Sequence, residues 1–228
     1  LLDTYEAERL PVGHRLLTTT DRGFSLLARG GWFASQGRTH VLPRVAQVLF
    51  GNAWTQRRLF RFVSQLAVRY THSPLSTERQ WGEEPGSVRM EQGPAPGDRV
   101  PNVALKAEGA ERLHTLLRGP QHTLLLFTGL DSGSEATSRR SELVALAARL
   151  EAHYGPSLLQ AWVVVAGEAT PSARLVADAD GALHRRFGAG GECFYLVRPD
   201  GYVGHRERPL EPERLEAELA RRLGRQGT

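Results

Sequence analysis

The chain has 228 residues, 40% of them hydrophobic and 24% charged, which leaves room for one large domain or two small ones in an ordinary globular protein. No apolar run approaches the roughly 20 residues of a membrane-spanning helix, so no membrane partner is expected. The net charge of +4 is spread through interleaved acids, as in Glu211-Pro212-Glu213-Arg214-Leu215-Glu216-Ala217-Glu218, which reads as a solvated face and not as the basic stripe of a nucleic-acid partner.

Residues 1–70 read as a helical segment. Asp3 or Thr4 can cap a first helix, and Glu6 and Glu8 suit its positive end. Pro11 either ends that helix or opens the next, and Gly30-Gly31 breaks the pattern. Over 42–50 the spacing puts Leu42, Val45, Val48 and Leu49 on one helical face, with Gly51-Asn52 as a stop. Over 54–70 it gathers Leu59, Phe62, Val63, Leu66 and Ala67. Such faces need something to cover them, either each other or a partner domain.

Residues 71–96 change character. Thr71-His72-Ser73-Pro74, Pro85-Gly86-Ser87 and Gly93-Pro94-Ala95-Pro96 are turn formers without periodicity, and the stretch reads as a linker. From residue 97 to 228 strands and helices alternate. Val103-Ala104-Leu105 is a short strand and Ala110–Arg118 a short helix. Thr123–Thr128 has the continuous apolar character of a buried strand, and Ser138–Tyr154 is a helix ended by Gly155-Pro156. Leu158–Ala166 is a second buried strand, followed by a helical turn over Gly181–Phe187. Phe194–Val197 and Tyr202–His205 flank Arg198-Pro199-Asp200-Gly201, where Pro presets the turn and Gly supplies a positive φ. A last helix carries Leu215, Leu219 and Leu223 on one face, with Glu218 and Arg222 paired at i,i+4. The fold class is α/β: a helical N-terminal segment followed by a thioredoxin-like βαβαβαββα domain, with right-handed crossovers making its first half parallel.

Thioredoxin chemistry needs a thiolate at a helix N-terminus, normally in C-x-x-C. The corresponding stretch is Thr128-Gly129-Leu130-Asp131-Ser132-Gly133-Ser134, without cysteine. Cys193, the only cysteine, excludes an internal disulfide and a Cys-rich zinc site, points to a cytoplasmic location, and precedes an apolar strand as a packed residue. The eight histidines form no H-x-x-x-H or H-E-x-x-H pattern. Ser132 and Ser134 lack a nucleophile elbow. Asp178, Asp180 and Gly181 read as a turn and cap, not a cation loop. Glu6 and Glu8, two apart on a helix, diverge. No catalytic, cofactor-binding or metal-ligating residue is assigned.

Four stretches carry a resemblance. Asp3-Thr4-Tyr5-Glu6-Ala7-Glu8-Arg9-Leu10-Pro11 resembles the Y-E-x-E-R-x-P stretch of FAD-dependent aromatic hydroxylases of the para-hydroxybenzoate hydroxylase class. Val68-Arg69-Tyr70 with Ser73-Pro74-Leu75, then Gly97-Asp98-Arg99-Val100-Pro101-Asn102, then Phe194–Val203 are similar to the C-terminal half of the subgroup with a thioredoxin-like tail. That subgroup includes phenol-hydroxylase relatives and hydroxylases of aromatic polyketides. The resemblance implies a longer parent that uses FAD and NADPH to hydroxylate an aromatic substrate. This chain would be its C-terminal portion, inactive alone, structural or homo-oligomer-forming, and partnered by FAD-binding and substrate domains outside it. No G-x-G-x-x-G is present; Gly188-Ala189-Gly190-Gly191 reads as a loop, and no flavin role carries over to Gly97-Asp98. The alternative is a free-standing, redox-inactive thioredoxin-like interaction module.

Overall fold

The structure, a computed structural model, describes residues 2–28, 39–40, 42–64, 68–71, 73–80, 88–107, 110–130, 136–169 and 174–224. The chain divides into two compact units, Leu1–Arg69 and Tyr70–Thr228.

The described residues of the first unit include the α-helices α1 (Leu2–Ala28), α2 (Leu42–Gly51) and α3 (Ala53–Val63). The break expected at Pro11 does not occur. Pro11 lies inside α1, where its fixed φ is a helical value although it supplies no backbone donor. Asn52 separates α2 from α3 and caps α3: its side-chain oxygen accepts from the Trp54 amide at 2.9 Å and its carbonyl from the Gln56 amide at 3.0 Å. α3 ends at Val63, short of the expected residue 70. Of the expected apolar faces, only Val45 has a described side chain, and it is 44% exposed; the side chains of Leu42, Val48, Leu49, Leu59, Phe62, Val63, Leu66 and Ala67 lie outside the described residues.

The second unit is a mixed α/β layer. Its strands are β1 (Thr77–Gln80), β2 (Ala104–Ala107), β3 (Ala110–Arg112), β4 (His122–Phe127), β5 (Leu159–Ala166), β6 (Leu175–Asp178), β7 (Cys193–Val197) and β8 (Val203–Arg208). They form one sheet in the order β1-β8-β7-β4-β5-β6-β2-β3. β4, β5 and β6 are parallel. β7 is antiparallel to both β4 and β8, and the turn between β7 and β8 closes as expected, with the Gly201 amide donating to Arg198 O at 2.9 Å and Gly201 at φ +80°. The helices are a single turn α4 (Leu113–Leu116), α5 (Ala136–Tyr154), α6 (Ala182–Phe187) and α7 (Pro212–Leu223).

Alternation along the central strands builds a core on each side of the sheet. Leu124, Leu126, Phe194 and Leu196 join Leu143, Leu146 and Leu150 of α5 and Leu215 and Leu219 of α7. Leu125, Phe127, Tyr195 and Val197 face the other way, toward Met90, Leu113, Leu183 and Phe187. Burying each such large side chain stabilises the fold by roughly 1.5–3 kcal/mol.

Three expectations change. Residues 110–118 are not one helix: Ala110–Arg112 pairs antiparallel with β2 before the α4 turn. β2 does not begin a parallel unit, since it runs antiparallel to β6 at Lys106 and Ala177; β6 itself, four residues long, was not foreseen. Residues 71–96 are not a free linker. β1 pairs parallel with β8, Thr77 opposite His205 and Gln80 opposite Arg208. Met90 is fully buried in the second core. A side chain at Gly93 would collide with the Phe187 carbonyl, 2.0 Å from its Cβ position.

Candidate functional site

The carboxyl end of β4 is where a thioredoxin-type nucleophile would stand. Here the described residues that follow the strand are tied to neighbouring backbone. Leu130 N donates to Gly190 O at 2.9 Å and Thr128 N to Val164 O at 3.1 Å. Gly129 (φ +80°) packs against Gly191, so a side chain there meets backbone at 3.0 Å. Cys193 opens β7 opposite Phe127 and is fully buried, with its side chain in the second core. Arg139 on α5 fixes the same loop through bonds to Glu192 of 2.8, 2.9 and 2.8 Å. Ser132 and Ser134 lie outside the described residues.

Asp178, Asp180 and Gly181 form the expected turn and cap. Asp178 Oδ1 accepts from the Leu183 amide at 3.1 Å and Oδ2 from the His184 amide at 2.8 Å; Asp180 accepts from the Ala182 amide at 3.1 Å. The sequence did not announce His184. It is fully buried, its Nδ1 sits 2.7 Å from Asp178 Oδ2, and its ring meets the Phe127 ring edge-on at 5.3 Å. Burial alone would raise the Asp178 carboxyl, but the His184 ring and the His184 and Leu183 amides outweigh it and hold it below its ordinary value.

A second polar cluster joins β1, β8 and α7. His205 is buried, with Nδ1 2.7 Å from Thr77 Oγ1 and Nε2 3.1 Å from Glu207 Oε2. Arg222 donates to Leu75 O at 2.7 Å and to Thr77 Oγ1 at 2.5 Å, and pairs with Glu218 as the i,i+4 spacing indicated. Burial, with Arg222 adding to it, holds the His205 imidazole below its ordinary value against the pull of Glu218 and Glu207. On the opposite sheet face Arg206 donates to Met90 O at 2.6 Å, Pro94 O at 3.2 Å and Glu78 at 2.8 Å. Nearby, Tyr195 donates its hydroxyl to Phe187 O at 2.5 Å, and burial pushes that hydroxyl's pKa up.

These groups spend their hydrogen bonds inward, on the fold. Among the described residues no three His, Cys, Asp or Glu side chains converge as a metal site would require. Gly188–Gly191 is the expected loop, and it does not open as a phosphate cradle: a Cβ at Gly188 meets Arg89 O at 2.1 Å, and Gly190 O is taken by Leu130. Glu6 is exposed while Glu8 is 8% exposed, so the two carboxylates diverge as expected. Sequence spacing could not have found His184, His205 or Arg206 as joined to Asp178, Thr77 and Glu78, because those partners lie 6, 128 and 128 positions away.

The family model for the aromatic-ring hydroxylase C-terminal region matches residues 93–226. The chain belongs to that family. It is 32% identical over 203 residues to 6-methylpretetramide 4-monooxygenase of Streptomyces rimosus, a match spanning 89% of this chain and 33% of the relative. It is also 32% identical over 220 residues to 4-methyl-5-nitrocatechol 5-monooxygenase of a Burkholderia species, 93% of this chain and 33% of that one. The hydroxylase-family chain thus spans about a third of the length of the curated relatives it matches. A solved structure of the flavin-dependent monooxygenase PieE in complex with FAD and substrate aligns with 99% of this chain and 40% of its own, at a TM-score of 0.53 and 20% identity; at that identity the likeness is one of fold.

Proposed function

We propose that the chain is the C-terminal portion of an FAD- and NADPH-dependent monooxygenase that hydroxylates an aromatic or polyketide substrate. The observation that carries this is the pair of monooxygenase relatives, each matched over about nine-tenths of this chain but only 33% of itself. The flavin and the aromatic substrate would be held by the remaining two-thirds. Gly188 is committed to packing on Arg89, and Gly190 and Gly191 lie against Gly129, which supports placing the phosphate-binding backbone elsewhere. The helical segment up to about residue 70 would pack on the FAD-binding and substrate domains. The later unit would be a thioredoxin-like domain with a structural or oligomer-forming role. The strand order β8-β7-β4-β5, with α5 between β4 and β5 and α7 after β8, supports that reading, and the buried Cys193 supports a tail without redox chemistry. Among the described residues no helix is long and apolar enough to cross a membrane, and the proposed location is the cytoplasm.

The test is flavin binding. Residues 1–228 titrated with FAD should leave flavin fluorescence unchanged, whereas the polypeptide extended by the coding sequence ahead of Leu1 should purify yellow. Stoichiometric flavin on residues 1–228 alone would overturn the assignment of the cofactor to the missing portion.

A further inference from the structure

α1 carries an apolar ridge that the first unit leaves uncovered. Leu10, Leu17 and Phe24, seven residues apart, are 52%, 63% and 72% exposed, and Leu16 is 47% exposed. At 100° per residue these four, with Gly13 and Thr20, fill an arc of about 120°, the width of a buried amphipathic face. Between residues 10 and 24 that arc holds no charged residue; His14, Arg15, Asp21 and Arg22 occupy the rest of the circumference. Gly13 has open space where a side chain would stand, so the ridge has a flat position where a partner's backbone can approach. The Thr20 hydroxyl donates to Leu16 O at 2.8 Å, and Thr18 and Thr19 donate to His14 O and Arg15 O at 2.8 and 2.7 Å. With its hydroxyl satisfied inside the helix, Thr20 offers a methyl group outward and loses nothing when water is removed. Single exposed leucines need no explanation; a contiguous ridge with its polar atoms already paired does.

We infer that the Leu10–Leu17–Phe24 ridge of α1 docks into an apolar groove on the preceding, flavin-bearing portion of the same polypeptide. This rests on the reading given under Proposed function. The occupant follows from length and order: the matched family region is a C-terminal one, two-thirds of each monooxygenase relative lies outside the match, and that remainder would join the chain immediately ahead of α1. A lone helical ridge fits a groove by its i, i+7 anchors.

Cysteine accessibility tests it without disturbing the core, since native Cys193 is buried. Leu17→Cys, Phe24→Cys and, as a control on the charged arc, Arg22→Cys are placed in residues 1–228 and in the polypeptide extended upstream. Maleimide labelling is followed at each site by peptide mass. We expect Leu17→Cys and Phe24→Cys to label at least about tenfold more slowly in the extended polypeptide, a protection factor matching the loss typical of a buried interface anchor, with Arg22→Cys labelling equally in both. Equal labelling of the ridge in both polypeptides overturns the inference. So does protection already present in residues 1–228 that fades on dilution, which would assign the ridge to a second copy. Flavin absorbance of the extended polypeptide is read in the same samples: a protected ridge on a colourless protein leaves the docking intact and sinks the monooxygenase reading.

Discussion

Asp178 serves three donors with two oxygens: the Leu183 amide, the His184 amide and His184 Nδ1. Asn cannot replace it. Whichever way the amide is turned, its NH₂ faces at least one buried N–H, and a buried donor left unpaired costs about 1–3 kcal/mol. Asp178→Asn should therefore lower unfolding stability by about 2 kcal/mol at pH 7, read from urea midpoints. The sign with pH follows from the lowered carboxyl value. The unfolded chain takes up its proton first as pH falls, so the advantage of Asp178 is complete above the ordinary carboxylate range, shrinks as pH falls through that range, and is lost as pH falls through the folded value. The gap between wild type and Asp178→Asn should narrow below about pH 4; a gap that widens there would refute the account. The sequence exposed half of this arrangement. Asp178, Asp180 and Gly181 have the composition of a cap, but nothing local marks His184 as the group that completes it, because its burial is decided by packing on Phe127 of β4.

Elements were legible where burial was two-sided. β4, β5 and β7 are continuous apolar runs, and their core is the one their composition indicates. β1 was not legible. Thr77-Glu78-Arg79-Gln80 has no apolar residue, and it is a strand because β8 offers it an edge. The end of β8 is as polar, yet Arg206, Glu207 and Arg208 are all buried. Arg206 explains why. Its guanidinium gathers the Met90 and Pro94 carbonyls and the Glu78 carboxylate, and so ties β1 and the Met90 turn to the sheet. A planar fork with five donors can serve these partners together, and an ammonium cannot. Arg206→Met leaves the carbonyls and Glu78 without their donor and should cost about 1–3 kcal/mol. Arg206→Lys should recover less than half of that loss. Full recovery by lysine in thermal unfolding would show that charge alone matters and that the fork geometry does not.

At the scale of the whole molecule, the boundary between units falls within a residue of where the helical segment was expected to end, and what composition did not show is the side to which residues 71–96 belong. Turn-rich residues 71–96 resemble a linker, and a cut at residue 97 looks natural from the sequence. The structure puts the division between Arg69 and Tyr70, so that this stretch falls in the second unit. Tyr70 already belongs to the second unit: its ring lies 4.7 Å from that of Tyr202, and its amide donates to Gly97 O at 2.9 Å. A chain beginning at residue 97 loses β1, the fully buried Met90 side chain and every carbonyl and carboxylate named above as a partner of Arg206. Stripping a buried guanidinium of its partners costs about 3–5 kcal/mol, and removing a large core side chain adds about 2–5 kcal/mol. Against a total domain stability of about 5–15 kcal/mol, those losses are enough to unfold it. Residues 70–228 expressed alone should therefore unfold cooperatively in urea, while residues 97–228 should give no cooperative transition and should bind a hydrophobic dye. If 97–228 unfolds with the same midpoint as 70–228, β1 and Met90 contribute nothing to the core, and the turn-rich stretch is a linker after all.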